Sequence, residues 1–180
     1  MLKRFQMEDA NAVKTPADDT TSSSIADEPA QDYPYRESIG SLMYPTTATR
    51  PDLSFAVSTL ARHSHKPTRR NVMGAKHVFR YLKGTVQTGI ILGGGDLLLE
   101  AYADADYAAD KATRRSVSGT LIKFGGGPIV WASRLQSCVT LSTVEAEYVA
   151  LCSATQEVIW LRLLLADLGC PQADPTHHGG

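Results

Sequence analysis

A chain of 180 residues is long enough for one sizeable core and a small second module. Its 43% hydrophobic and 21% charged content is that of a soluble globular protein and excludes a wholly disordered chain. The net charge of −1 averages two opposed blocks: residues 8–32 carry a net of −6, and residues 36–83 a net of +7.

The start, MLKRFQMEDA, lacks the apolar core of a signal peptide. No apolar run approaches a membrane span, so no membrane partner is expected. Cys138, Cys152 and Cys170 have no CxxC spacing and read as reduced thiols. The five histidines do not join them at zinc-ligand spacing, and His177 and His178 read as a polar tail.

Residues 1–8 read as a short helical end. Residues 9–34, rich in Asp, Ser, Thr, Ala and Pro, bury too little to offset their ordering entropy and read as a linker. Residues 35–44 are predicted helical, with Ile39, Leu42 and Met43 on one side. Pro51 suits the first turn of a second helix, in which Leu53, Ala56, Val57, Leu60 and Ala61 recur at helical spacing. Thr68 is a plausible N-cap for a third helix over residues 69–83, with Gly84 past its end. The apolar stripe of that helix is Val72, Ala75, Phe79 and Leu82. Lys76, Arg80 and Lys83 form a basic stripe on another face, extended by Arg69 and Arg70. Such a stripe follows a phosphate backbone or is simply a solvated face.

A short strand is predicted over residues 88–92, and a Gly-rich turn leads into LLLEAYADADYAAD, residues 97–110. This strand is apolar on both faces, as central strands are. The acids at its end either present a carboxylate to a metal or substrate, or are solvated. A basic loop with Arg114 and Arg115 follows. A strand over residues 117–124 comes next, with Gly119 a possible bulge, then a turn and a return strand over residues 129–133. Three strands with short connections make an antiparallel meander.

The longest helix opens at Ser142 and closes near Leu168, with Gly169 and Pro171 beyond. Ser142 and Glu145 match a capping box, which gives Glu145 a structural role. Glu147 heads the stripe Leu151, Ala154, Val158, Leu161 and Leu165. A carboxylate there is costly unless paired or bound to metal. If the helix crosses the sheet, Asp104 and Glu147 converge, and converging carboxylates bind Mg2+ or Mn2+. Paired metals support phosphodiester hydrolysis. Periodicity alone does not say whether the two acids meet.

The segments YRESIGSLMYPTTATRPDLSFAVSTLARHSHKPT and AKHVFRYLKGT resemble the end of a copia-type retrotransposon polymerase. YADADYAAD, TRRSVSGTLIKFGGGPIVWASRLQ and LSTVEAEYVAL resemble the ribonuclease H domain that follows it. The resemblance implies an α/β chain: a truncated RNase H-like fold, with a three-stranded antiparallel meander and a long helix, preceded by a mainly helical thumb and connection. Its domains would be a thumb-like end (1–8), a linker (9–34), a helical connection (35–92), an RNase H-like domain incomplete at its C-terminus (93–170) and a tail (171–180). It implies metal-dependent cleavage of RNA in an RNA–DNA hybrid, with the active-site Asp of YxDAD on Asp104 and the Glu of EAEY on Glu147. Asp106 is the alternative in the strand motif, sharing a face with Asp104 only if the chain stays extended. Arg114 and Arg115 occupy the family's basic loop. The implied partners are a hybrid or other nucleic acid and the rest of the Pol polyprotein, in an intracellular setting, either a cytoplasmic particle or the nucleus.

Two departures from the family pattern qualify the implied enzyme. No aromatic-x-Asp-Asp polymerase motif occurs, so no DNA synthesis is expected. The family's next strand, with a further catalytic Asp, has no counterpart; Asp174 lies in a Pro-flanked tail. Two carboxylates imply weak Mg2+ or Mn2+ binding and little or no turnover by the chain alone. The expectation is a polyprotein fragment of nuclease descent. The alternatives are a non-catalytic nucleic-acid-binding module and a product without function. The missing strand would also leave the first strand's edge open.

Overall fold

The computed structural model describes residues 1–17, 28–29 and 32–172. His177, His178 and Asp174 lie outside them, as does the middle of the expected linker. The chain divides into two compact units, Met1–Gly89 and Ile90–Gly180.

The first unit is built on three helices: α1 (Tyr35–Ala48), α2 (Ser54–Ala61) and α3 (Arg69–Gly84), with a 3-10 turn at Pro51–Leu53 leading into α2. Its core joins Ile39 and Leu42 of α1, Val57 of α2, and Ala75, Val78 and Phe79 of α3. The first residues belong to this core rather than to a separate element. Phe5 and Met7 are buried, and the Phe5 ring stacks on Phe79 with centroids 5.0 Å apart.

Helix α1 runs past its predicted end, through Pro45. A proline costs the helix one N–H donor. Here Thr46 and Thr47 hydroxyls donate to the Leu42 and Met43 carbonyls, which supports the last turn. Met43, predicted to face inward, is exposed; Ser38 and Thr46 are buried instead, each donating to a carbonyl of its own helix. Thr68 caps α3 as expected, and the reciprocal bond comes from the Asn71 side chain. Gly84 is the last residue of α3 rather than a left-handed residue beyond it. Residues 88–92 form no strand.

Arg50 ties the α1–α2 connection to the end of α3. Its side chain is almost fully enclosed and grips Asp52 through Nε at 2.9 Å and Nη2 at 2.7 Å. It also donates to the Thr85 carbonyl and hydroxyl, at 3.0 and 2.7 Å. Tyr81 lies under the guanidinium and donates its hydroxyl to Asp52 at 2.8 Å. Burial opposes ionisation of Asp52, but the Arg50 and Tyr81 hydrogen bonds and the Arg50 charge outweigh it. The carboxyl is held below its ordinary range.

The second unit is a sheet of β1 (Leu99–Asp106), β2 (Val117–Phe124) and β3 (Gly127–Leu135), antiparallel in the order β1-β2-β3, with α4 (Thr143–Asp167) packed on β1 and β2. This is the three-stranded antiparallel meander and long helix expected of the RNase H-like α/β reading. Gly125 and Gly126 both take positive φ, as a two-residue hairpin turn demands. The register irregularity falls between Ile122 and Lys123, not at Gly119.

Among the described strands β1 lies at the sheet edge, not at the centre that its composition suggests. Six of its eight residues are exposed. The Gln172 side chain meets the start of that strand, accepting from Leu99 N–H at 2.9 Å and donating to the Leu97 carbonyl at 3.1 Å. α4 begins at the Ser142 cap and closes before Gly169, as expected, and Gly169 is left-handed. Contrary to the sequence reading, α4 is long and apolar enough to cross a membrane by length and composition. The difference arises because Glu157 and Arg162 interrupt the run, yet the remaining residues are apolar enough to keep its average hydropathy high. In the described fold α4 packs on the sheet.

Candidate functional site

Residues facing one another across the ladder share a sheet face. Ala103, Ala105, Ser118, Thr120 and Ile122 share one face; Tyr102, Asp104 and Asp106 share the other, with Asp104 opposite Gly119. α4 covers the first of these faces. Gln136, nearly fully buried, donates from Nε2 both to Ser118 Oγ and to the Ala146 carbonyl on α4, each at 2.9 Å. Beside this contact lies a groove of about 190 Å³ between β2, β3 and α4, to which Val149, Ser153 and Glu157 contribute.

The strand remains extended through Asp106, which pairs with Val117. The condition under which Asp104 and Asp106 share a face is therefore met. Both are exposed, on the face that α4 leaves open.

Glu147 does not head the buried stripe of α4. The residues α4 turns toward the sheet are Ala146, Ala150, Ala154, Leu161 and Leu165, whereas Glu147 and Leu151 are exposed. The buried stripe thus begins one residue before Glu147. Helical geometry places Glu147 about 100° from Ala146, on the flank toward β1 and away from the groove. Glu145 does have the structural role expected of it. Ser142 Oγ accepts from its N–H at 3.1 Å, and its carboxylate accepts from the Leu141 N–H at 2.6 Å, one residue before the expected partner.

Among the described residues no three His, Cys, Asp or Glu side chains form a group able to hold a metal ion. Asp104 and Asp106 stand on one sheet face, and Glu147 is on the helix that packs over the other. Three or more converging oxygen ligands are the usual requirement for a divalent cation.

The loop between β1 and β2 is pinned by Asp110, whose carboxylate accepts from the Ala112 and Thr113 N–H groups at 3.1 and 2.9 Å. Arg114 follows with positive φ and an exposed side chain, and Arg115 donates to the Ser137 carbonyl. Arg114 is thus the more open of the two for an outside partner.

In the first unit the basic residues differ in how free they are. Arg69 and Lys76 are exposed, whereas Arg70, Arg80 and Lys83 are half-buried. Arg80 donates to the Asn11 carbonyl at 2.7 Å, and Lys76 stands 5.3 Å from the centre of the Tyr33 ring. Part of the predicted stripe therefore already contacts the chain's own N-terminal segment. Arg50 belongs to the basic block by sequence, but in the fold its charge is taken up by Asp52.

The chain is 38% identical to the retrovirus-related Pol polyprotein from transposon TNT 1-94 of Nicotiana tabacum, over 97% of this chain and 14% of that protein. It is 42% identical to the Pol polyprotein from transposon RE1 of Arabidopsis thaliana, over 75% of this chain and 9% of that protein. A secreted RxLR effector protein of Plasmopara viticola is 43% identical over 71% of this chain and 91% of its own length. The chain thus spans about a tenth of the length of the Pol polyproteins it matches. No family model and no solved structure matches it.

Proposed function

The chain belongs to the family of retrovirus-related Pol polyproteins of copia-type transposons, and from this premise we propose that it works as a nucleic-acid-binding segment of such a polyprotein. In this reading the first unit is the thumb and connection that grips an RNA–DNA hybrid, through Arg69, Arg70, Lys76, Arg80 and Lys83. The second unit is the opening part of an RNase H-like domain, with Arg114 and Arg115 beside the hybrid's backbone. Asp104 and Glu147 are carboxylates inherited from a metal-dependent nuclease, and Asp106 is an additional one on the Asp104 face.

The observation that carries this reading is the open edge of β1. Asp104 and Asp106 stand on that strand, and Glu147 lies on the flank of α4 turned toward it. Among the described residues these acids border one exposed edge of the sheet. In this reading carboxylates split between a strand and a helix flank bind Mg2+ or Mn2+ weakly, and the chain alone leaves the bound hybrid uncut.

The test combines binding and cleavage on a labelled RNA–DNA hybrid with Mn2+ present. Binding should weaken with salt and fall at least tenfold on charge reversal of Arg69, Lys76, Arg80 and Lys83. Cleavage should not exceed the no-protein control. Cleavage that disappears in Asp104→Asn would show an active nuclease instead. Absence of any salt-dependent binding would remove the nucleic-acid reading.

A further inference from the structure

The acidic N-terminal segment touches the basic helix at three levels. Near the end of α3, Arg80 Nε donates to the Asn11 carbonyl at 2.7 Å. At mid-helix, His77 Nε2 donates to the Thr15 carbonyl at 2.9 Å. At the first turn, the Arg69 N–H donates to the Glu28 carbonyl at 2.9 Å, and Pro29 forms a bridge with Thr68. The order of contacts is reversed between the two: later residues of the segment meet earlier residues of the helix.

Charge favours this arrangement. The described residues of the segment include Glu8, Asp9, Glu28 and Asp32 against Lys14, and no Asp or Glu occurs from residue 53 to residue 95. The groups that meet Arg80 and His77 are carbonyl oxygens, acceptors of the kind a phosphate backbone also presents to guanidinium and imidazole donors. Gly84 permits the close approach at the end of the helix. A Cβ on Gly84 would stand 3.0 Å from the Ala12 Cβ and 3.5 Å from the Val13 carbonyl oxygen.

We propose that residues 8–17, 28–29 and 32–33 are a built-in competitor that occupies the basic face of α3, and that a nucleic acid must displace them to use the whole face. The inference rests on the reading of that face as a hybrid-binding surface. It adds regulation: affinity depends on the segment as well as on the cations.

Gly84→Leu tests this without changing any charge. Leucine favours the helix more than glycine does, so α3 is not weakened, while its side chain wedges against Ala12. Anisotropy titrations of a labelled hybrid should show the variant binding about tenfold tighter than the parent near 0.1 M salt. The slope of log K against log salt should steepen by about one, as Arg80 gains a phosphate. In the parent protein, saturating hybrid should accelerate tryptic cleavage after Lys14. Identical affinity and slope, with cleavage at Lys14 unaffected by hybrid, would overturn the competitor while leaving the binding face intact. If neither protein binds the hybrid, both readings fall.

Discussion

The first unit encloses Leu42, Leu53 and Phe79 completely, whereas α4 of the second unit leaves Tyr148 69%, Trp160 54% and Leu163 64% exposed. In the first unit three helices and the N-terminal turn supply one another's cover. In the second, one helix and a three-stranded sheet carry more apolar surface than they cover. A helix apolar on all sides is suited to burial on more than one side. The difference shows that the two units are unequally self-sufficient, although residue composition along the chain does not announce it.

The sharpest way to break this contrast is to cut a cavity in the closed core. Phe79→Ala removes a fully buried ring stacked on Phe5 and should destabilise the first unit by about 3–5 kcal/mol. Both tryptophans, Trp131 and Trp160, belong to the second unit, so tryptophan fluorescence reports that unit alone. In urea titrations Phe79→Ala should shift the helical circular-dichroism transition and leave the fluorescence transition in place. Equal shifts in both would mean that the units unfold as one, and the contrast would fail.

Arg50 offers a second test, through charge rather than volume. Arg50→Ala leaves Asp52 without its cation partner and should cost about 3 kcal/mol or more; Arg50→Met, which keeps packing on Tyr81, should cost less. The pH dependence has a definite sign. Asp52 has a lower pKa folded than unfolded, so its stabilisation is present above the ordinary carboxyl range and disappears as pH falls through the depressed value. Asp52→Asn should flatten that acid limb in stability measured against pH. A parent limb unchanged by the substitution would assign the acid sensitivity to other groups.

Much of this organisation is legible in the sequence where a local rule applies. Thr68 and Ser142 cap their helices, Gly169 closes α4, and alternation with Gly125 and Gly126 gives the hairpin. The errors fall where partners are distant or periodicity is degenerate. The role of Arg50 depends on Thr85, 35 residues away. The buried line of α4 begins at Ala146 rather than at Glu147, because an apolar sequence on nearly every side lets several stripes fit. The double-sided apolar pattern of β1 suggested a central strand, yet among the described strands it is an edge. The candidate acids are therefore identifiable by residue type and family motif, but their relation to one another is not.

The same degeneracy gives the smallest expected effect on stability. Trp160 and Leu163 are three residues apart on the exposed side of α4, where Trp160→Ser and Leu163→Ser remove no enclosed contact. Each should change the unfolding free energy of the second unit by no more than about 0.5 kcal/mol. Ile122→Ala on the covered sheet face should cost about 2–5 kcal/mol, because Ile122 is fully buried. The two serine variants should, however, lower self-association measured by sedimentation velocity, since large exposed apolar patches drive association. A loss above about 1 kcal/mol from Trp160→Ser would show that this side of α4 is packed in solution, and the second unit would then be as closed as the first.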